Sequence, residues 1–304
     1  MTTPRVSVLI GAYDNAATLH RAIDSILHQT VRDLELLLID DGSRDETPAV
    51  IAAAAARDAR VQALTMPRNV GISRSLNAGL HAARAPVVAV QDADDHSESG
   101  RLERQLALLD ARPEVAVVGS RMHEVDVDGR ALAPRTSFRA GDVNDVLLRF
   151  NPIPNTSAAF RRELALALGG YDPRYRYAME YDLWLRIADE HVVAALDEPL
   201  STRVMSATNV AARADRAQTA EALAIRARTL RRRRSSARGG GGSVRRRRAE
   251  SALTGRARPR TPRRRPPASA PRRTASARAR GRQRRGARAR PGPEQARRVR
   301  PRAR

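Results

Sequence analysis

Short apolar runs alternate with amphipathic stretches along the first 120 residues of the chain. Runs of four to six residues predict strands buried on both faces, namely Arg5–Ile10, Leu34–Ile39, Val61–Thr65, Pro86–Val90 and Val115–Val118. Between them, apolar residues recur at helical spacing in Ala16–His28, Thr47–Arg57, Ile72–Ala83 and Arg101–Arg112. Strands that alternate with helices and short loops predict an α/β fold. We expect a doubly wound, mostly parallel sheet with helices on both faces and right-handed crossovers.

The pattern becomes irregular after about residue 120. A hairpin is predicted from Met122–Val127 and Ala131–Thr136, several helices follow, and an Ala-rich helix is predicted at 211–230. We therefore expect one globular domain at 1–230. Its first half, about 4–120, should bind the ligand at the parallel sheet, whereas about 121–205 should cover the crevice and select a second substrate.

The charge of the chain is concentrated at one end. Residues 231–304 hold 29 Arg and two acids, whereas residues 1–230 hold 27 Arg and 31 acids. The segment 231–304 has no aromatic residue and few large aliphatic ones, so it cannot bury enough apolar surface to fold and is predicted to be a disordered tail. Three interpretations of this tail remain open: an arm for nucleic acid or anionic lipid, a solvated tail, or out-of-frame translation of a GC-rich gene.

Composition also excludes several classes of protein. The absence of cysteine excludes disulfides, thiolate metal sites and cysteine nucleophiles. No apolar run approaches the roughly 18–20 residues that cross a bilayer, and the first residues lack the apolar core of a signal peptide. The expectation is a soluble, cytoplasmic protein, with contact at the inner face of the cell membrane still open.

The segment Gln91–Asp95 carries the clearest chemical signal. It places Asp92, Asp94 and Asp95 directly after a predicted buried strand. Crowded carboxylates repel one another unless a cation lies among them, and hard oxygen ligands suit Mg²⁺ or Mn²⁺, ions that in turn bind diphosphates. A nucleotide–metal complex is therefore the predicted ligand.

Two further polar segments follow predicted strands. Residues 11–15 come after the first strand, and residues 40–45 come after the second. In open α/β sheets ligands bind beyond the carboxyl ends of the strands, so these segments and the aspartates at 92–95 should face a single crevice.

The ordered motifs of the chain resemble those of family 2 glycosyltransferases. The resemblance covers about residues 4–205 and is carried by Val6–Tyr13, Ile39–Ser43, Asn69–Ser73, Asp92–Asp95, Gly169–Asp172 and Glu180–Arg186. Members of this family have the GT-A fold and are inverting enzymes that use nucleoside-diphosphate sugars. The resemblance implies that the domain at 1–230 is catalytic, and the Ala-rich helix predicted at 211–230 is expected to be its last element.

The resemblance also implies roles for residues near the nucleotide. Asp41 would contact the nucleobase, with Tyr13 packed against it and Gly11 lining the pocket. Gly71 and Arg74 would face the diphosphate, although many relatives place that arginine at the position of Leu76. The alternative for Asp41 is that it merely caps the helix that begins near Thr47.

The aspartates and Glu180 complete the expected site. Asp92 and Asp94 would contact the ribose or sugar, while Asp94 and Asp95 would bind the metal. Glu180 would be the general base, since an inverting transfer needs a carboxylate that accepts the proton of the acceptor hydroxyl. Relatives normally carry an acidic pair here, whereas this chain has Met179 before Glu180.

The sequence thus predicts a metal-dependent inverting glycosyltransferase of hexosyltransferase type that acts in the biosynthesis of cell-surface polysaccharide or glycan. A UDP-sugar is the favoured donor, and the acceptor would be a glycan or a lipid-linked molecule. Two alternatives stay open: a catalytically impaired homologue, and a protein that binds nucleic acid or an anionic surface through the basic tail. Binding of nucleic acid is expected only without sequence specificity, because the acid clusters would repel phosphates in the absence of a metal.

Overall fold

The computed structural model describes residues 3–133, 137–205 and 215–239, all within the first of the two units into which the chain divides, Met1–Arg248. The strands are β1 Val6–Ala12, β2 Leu34–Asp40, β3 Val61–Thr65, β4 Val87–Val90, β5 His96–Ser97, β6 Val115–Asp126, β7 Gly141–Asp142, β8 Ala159–Arg161 and β9 Val192–Met205. The helices are α1 Ala16–Leu27, α2 Thr47–Arg57, α3 Ile72–Ala82, α4 Arg101–Ala111, α5 Arg162–Ala167, α6 Met179–Ile187 and α7 Asp215–Gly239. A 3-10 turn covers Asn155–Ser157.

The strands of the described residues form one sheet in the order β3-β2-β1-β4-β8-β6-β9-β5, with β7 paired to β9. Strands β3, β2, β1 and β4 are mutually parallel, and β6 is parallel to β9. Strand β8 runs antiparallel between β4 and β6, and the short strands β5 and β7 are antiparallel to β9. The predicted α/β fold with a mostly parallel sheet is therefore confirmed.

Helices cover both faces of the sheet because the inner strands are apolar on both sides. In β2, Leu36 and Leu38 pack with α1, α2 and α4, whereas Leu37 and Ile39 pack with α3 and α6 on the opposite face. All residues of β2 are buried. Continuous burial of this kind is what a central parallel strand requires, and it explains why β2 has no polar alternation.

The strand register brings the polar loops together. Ala12 at the end of β1 pairs with Asp40 at the end of β2, and Leu9 of β1 pairs with Val90, the last residue of β4. Asp41 donates its N–H to the carbonyl oxygen of Ala12 at 2.8 Å. The loops after β1, β2 and β4 therefore leave the sheet at one edge, as the sequence predicts.

The second half of the chain continues the sheet instead of forming a separate layer. The predicted hairpin is present in the described residues, since Val125 bridges Ala131 and Leu132 donates its N–H to the carbonyl oxygen of Glu124. Residues 134–136 of that hairpin and most of the predicted tail lie outside the described residues. Helix α7 continues past the predicted boundary at Leu230 to Gly239. Among the helices of the described segments, none is long and apolar enough to cross a membrane.

The loop that follows β2 depends on a glycine. Gly42 has a φ of +76°, and a Cβ there would lie 2.5 Å from the carbonyl carbon of Arg68. Gly129 has a similar φ of +81°, but a Cβ there would meet nothing within 4 Å. Replacing each glycine by alanine therefore separates two contributions to the free energy of unfolding. The backbone conformation contributes at both positions, whereas steric overlap contributes only at Gly42.

We expect Gly129→Ala to lower the free energy of unfolding by about 1 kcal/mol through its backbone conformation alone. Gly42→Ala should lose about 1–3 kcal/mol more, because the Arg68 backbone has to move. Urea unfolding followed by the fluorescence of Trp184, the single tryptophan of the chain, measures both changes. If both variants lose the same free energy of unfolding, the close approach of Gly42 to the backbone of Arg68 would be contradicted.

Candidate active site

A pocket of about 870 Å³ opens at the carboxyl ends of β1, β2 and β4. Every residue that the sequence nominated for the site lines this pocket: Gly11, Tyr13, Asp41, Gly71, Arg74, Asp92, Asp94, Asp95 and Glu180. Other parts of the chain complete its walls, chiefly Asn155, Tyr175, Arg176, Tyr177, Arg203 and Gln218. The pocket is therefore built from both halves of the chain.

Asp41 organises the loop before α3. Its two carboxylate oxygens accept the N–H groups of Val70 and Gly71, each at 2.9 Å. The helix that begins at Thr47 is held by another residue, since Oδ1 of Asp45 accepts the N–H of Thr47 at 2.9 Å. Asp45, and not Asp41, therefore contacts the start of this helix, and the Asp41 carboxylate lies in the pocket wall.

Gly11 and Tyr13 line the pocket beside Asp41. A Cβ on Gly11 would lie 2.6 Å from the Cδ1 of Ile72, so a larger residue would require the Ile72 side chain to move. Tyr13 is 38% exposed at the rim. Arg74 is also exposed, and its guanidinium donates to the carbonyl oxygen of Val70 at 3.2 Å. These residues border an open cleft beside Asp41.

The aspartates after β4 form a crowded anionic cluster. Burial, followed by repulsion from Asp94, raises the pKa of Asp92 to about 6. Burial also raises the pKa of Asp94, and burial with repulsion from the other two aspartates raises the pKa of Asp95. Asp95 is 3% exposed and accepts the N–H of Val204, while Asp94 is more open to the pocket. The cluster therefore holds negative charge that the protein only partly balances.

Two arginines provide that partial balance. Arg101 is completely buried beneath the cluster, where it donates to the side chains of Gln91 and Ser97 and to the carbonyl oxygens of Val90 and Ala158. Burial lowers its pKa to about 10, although the charges of Asp92 and Asp95 oppose that shift. Arg203 of β9 lines the pocket, and its charge lowers the pKa of each of the three aspartates.

The aspartate cluster fits a divalent cation that is bound together with a diphosphate. Asp94 faces the pocket, and burial raises its pKa although the positive charge of Arg203 opposes the shift. In the part of the chain that the structure describes, no three carboxylate or imidazole side chains converge to hold a metal by themselves. Such a cation would therefore take its remaining ligands from phosphate and water, which is how Mg²⁺ is usually bound with nucleotides.

Glu180 lies in the same pocket, in the first turn of α6. It is 7% exposed, and its Oε1 accepts the side-chain N–H of Asn151 at 3.1 Å. Burial is the main cause that raises its pKa to about 7, and the charge of Asp92 adds to the shift. A carboxyl group with that pKa exchanges protons readily near neutral pH.

Asn155 connects the aspartates to the apolar core. Its side-chain N–H group donates to Oδ1 of Asp92 at 3.4 Å, and its Oδ1 accepts the hydroxyl of the buried Tyr171 at 3.2 Å.

Trp184 is fully buried, and its N–H donates to the carbonyl oxygen of Ile153. Trp184 is therefore a core residue.

Three residues near the site, Arg101, Arg203 and Glu221, belong to no motif that the sequence displays. Arg101 and Arg203 look like ordinary helix and strand arginines, and only the fold brings them to the aspartates. Glu221 lies on α7, beyond the region of resemblance, and it contacts the backbone in front of α6. For Arg101 the sequence does contain one signal. Its position falls on the apolar face of the predicted helix, where an arginine needs buried polar partners.

Comparison with known proteins identifies relatives of both sequence and fold. The family model described as Glycosyl transferase family 2 matches residues 7–167. The chain is 30% identical to the amylovoran biosynthesis glycosyltransferase AmsE of Erwinia amylovora over 197 residues, which cover 64% of this chain and 74% of AmsE.

Two solved structures share the fold. The S. aureus TarS 1–349 structure in complex with UDP has a TM-score of 0.58 at 17% identity and covers 74% of this chain. The mannosyltransferase PcManGT from Pyrobaculum calidifontis, in complex with GDP-Man and Mn²⁺, has a TM-score of 0.58 at 24% identity and covers 76% of this chain. The match spans 65% of each of these solved chains. The likeness shows the fold that the sequence motifs implied, a GT-A-like arrangement.

We expect Arg101→Met to lower the free energy of unfolding by about 3–5 kcal/mol, because it removes the buried cation beneath Asp92 and Asp95. Arg104→Met on the same helix is the matched control, since Arg104 is exposed and pairs with Glu198 at 3.4 Å. That change should stay within about 0.5 kcal/mol. Chemical denaturation measures both, and a loss in Arg101→Met no larger than in the control would contradict the electrostatic role.

Proposed function

Because the chain belongs to glycosyltransferase family 2, we propose that it transfers a sugar from a nucleoside-diphosphate donor to a hydroxyl group of an acceptor, with inversion at the anomeric carbon. The observation that carries this proposal is that Glu180 and the aspartate cluster line one pocket at the carboxyl end of a parallel sheet. An inverting transfer needs a carboxylate base and a site for the diphosphate, and this pocket contains candidates for both.

The donor would lie along the wall made by the loops after β1 and β2. Asp41 is proposed to accept a hydrogen bond from the nucleobase, with Tyr13 packed against the base and Gly11 beneath it. Asp92 and Asp94 would contact the ribose or sugar. Gly71 and Arg74 lie where α3 begins, and the positive end of that helix would face the diphosphate. UDP-GlcNAc and GDP-Man in the solved neighbours support a nucleotide sugar as the donor class.

Asp94 and Asp95 are proposed to hold Mn²⁺ or Mg²⁺. Their raised pKa values and the Mn²⁺ in the PcManGT complex support this assignment. When bound, such a cation supplies Lewis-acid neutralisation of the charge that develops on the departing diphosphate. Arg203 adds a fixed positive charge at the same end of the pocket.

Glu180 is proposed to act as the general base. The acceptor oxygen forms its bond to the anomeric carbon while its proton passes to the Glu180 carboxylate. The bond between the anomeric carbon and the diphosphate oxygen breaks, and the nucleoside diphosphate leaves with the electron pair. Asn151 would orient the Glu180 carboxylate through their hydrogen bond.

The relatives indicate the biological setting of this reaction. AmsE is a glycosyltransferase of amylovoran biosynthesis, and the succinoglycan biosynthesis protein ExoO of Rhizobium meliloti is also related. These names support assembly of a cell-surface polysaccharide, with a glycan or lipid-linked acceptor. We place the catalytic domain at 1–230 together with the remainder of α7. A catalytically impaired homologue is the second candidate, favoured by the single acid where the family normally has two.

We expect Glu180→Gln to lower kcat by about 10²–10⁴-fold, because the amide cannot accept the proton. Glu190→Gln is the matched control, since Glu190 is exposed beyond the end of the same helix. Hydrolysis or transfer of UDP-GlcNAc and GDP-mannose with Mn²⁺ measures the effect. Equal rates in both variants would exclude Glu180 as the base.

The pH profile provides a separate prediction. A base is active when deprotonated, so kcat/KM should fall as the pH drops below the Glu180 pKa of about 7 and level off above it. Steady-state kinetics between pH 5 and pH 9 test this, with protein fluorescence to confirm folding. A flat profile down to pH 5 would contradict the raised pKa of Glu180.

We expect Asp94→Asn to weaken the Mn²⁺-dependent binding of UDP by at least about tenfold, since a charged ligand of the metal is lost. Asp33→Asn is the control, because Asp33 is an exposed acid away from the pocket. Calorimetric titration of UDP with and without Mn²⁺ measures the difference. UDP binding that depends on Mn²⁺ equally in both variants would exclude Asp94 as a metal ligand.

A further inference from the structure

The backbone before α6 has unpaired donors that need acceptors. Arg176, Tyr177 and Ala178 lead directly into Met179, the first residue of the helix. The first N–H groups of a helix have no partner within the helix, and a polar side chain at the preceding position normally supplies one. Ala178 occupies that position and has no polar side chain. The helix that carries Glu180 therefore has no side-chain cap at Ala178, and the backbone in front of it depends on acceptors from other elements.

Glu221 of α7 supplies acceptors for the backbone immediately in front of this helix. Its Oε1 accepts the N–H of Arg176 at 2.9 Å. Its Oε2 accepts the N–H groups of Tyr177 at 2.8 Å and Ala178 at 3.0 Å. Hydrogen bonds to a carboxylate are stronger than neutral ones, and a negative charge is favoured at the positive end of a helix. One side chain thus holds three consecutive backbone N–H groups.

Independent contacts fix α7 in the register that Glu221 requires. Ile225, one turn further along, is fully buried in the core. The guanidinium of Arg226 donates to the hydroxyl of Tyr181 at 3.0 Å, and that of Arg228 donates to Asp172 at 3.1 Å. At the far end of α6, Arg232 and Arg233 both pair with Asp189. The placement of Glu221 therefore follows from the docking of the whole helix.

The segment that Glu221 holds is also part of the pocket. Tyr175, Arg176 and Tyr177 line it, and Gln218 of α7 lines it as well while donating to the carbonyl oxygen of Tyr177 at 3.1 Å. Glu180 follows Ala178 by only two positions. Movement of this backbone would therefore shift both the pocket wall and the carboxylate at the start of α6.

We propose that Glu221 is a positioning residue: by holding the N–H groups of Arg176, Tyr177 and Ala178, it fixes Glu180 and the adjacent pocket wall for transfer. We call these three hydrogen bonds the clamp. The effect of the clamp on transfer rests on the proposed function, whereas the clamp itself does not. Glu221 acts through the backbone and does not touch the reacting atoms.

The negative charge of Glu221 also affects the pKa of Glu180. Burial is the largest cause of the raised pKa of Glu180; the negative charges of Asp92 and Glu221 add to it, and Arg203 opposes it. Buried Tyr171 is the other titratable group that faces Glu180. Removing the charge at 221 while keeping the side-chain size should therefore shift the acidic limb of the pH profile to lower pH.

The test compares four full-length proteins: wild type, Glu221→Gln, Glu221→Asp and Asp189→Asn. The glutamine keeps the size of the side chain but presents an NH₂ group to N–H donors, and the aspartate keeps the charge but is one methylene shorter. Asp189→Asn loosens the far end of α7 without touching the clamp. Trp184 fluorescence during unfolding identifies any variant that is not folded at the assay temperature.

Amide hydrogen exchange tests the clamp without any substrate. We expect exchange at Arg176, Tyr177 and Ala178 to be at least about tenfold faster in Glu221→Gln than in wild type, and unchanged in Asp189→Asn. The aspartate should fall between wild type and glutamine. Equal exchange in Glu221→Gln and wild type overturns the proposal, and it does so whether or not the protein turns over a sugar nucleotide.

Kinetics test the consequence for transfer, with UDP-GlcNAc and GDP-mannose as the donor probes in the presence of Mn²⁺. We expect Glu221→Gln to lower kcat by about tenfold or more with little change in the KM for the donor. The acidic limb of the pH profile of kcat/KM should move to lower pH in this variant. Glu221→Asp should retain more of the wild-type kcat than Glu221→Gln does. A loss of kcat in Asp189→Asn equal to that in Glu221→Gln would overturn the positioning role. Absence of turnover in the wild type would count against the proposed function. The hydrogen-exchange rates would then still test whether Glu221 holds the backbone at residues 176–178.

Discussion

The structure depends on the balance of charge at the carboxyl edge of the sheet. Asp92, Asp94, Asp95 and Glu180 lie in one pocket, and burial disfavours the ionised form of each. Arg101 beneath the cluster and Arg203 beside it offset only part of this cost. The remaining negative charge is suited to a ligand that brings a cation with it. This charge imbalance supports the proposal that the pocket binds a nucleotide sugar together with a divalent cation.

Much of the fold follows from local pattern. Strand β2 and helices α1 and α2 lie within one residue of their predicted ends, because each is flanked by turn residues and has unambiguous apolar periodicity. The predicted site residues that follow β1, β2 and β4 share one pocket because the parallel register aligns the carboxyl ends of these strands. In α/β proteins of this class, the position of a residue along a strand is enough to predict which edge of the sheet it faces.

The residues that the sequence did not identify act across long separations in the chain. Arg101 contacts the carbonyl oxygen of Ala158, and Glu221 contacts the backbone more than forty positions earlier. No local pattern encodes such pairs, since each residue is ordinary in its own helix. The contacts of Ile225, Arg228 and Arg233 also favour α7 as an integral part of the folded domain, although motif resemblance ends near residue 205.

The place of α7 in the chain has a consequence for biosynthesis. Proteins are made from the amino terminus, and the loops that bear the aspartates and Asp41 emerge from the ribosome long before Glu221 does. A nascent chain that has reached only β9 already contains the carboxyl ends of the strands that form the pocket, but the backbone in front of α6 still lacks the acceptors of Glu221. If Glu221 has the proposed positioning role, the pocket would be complete only after α7 has been synthesised and has docked.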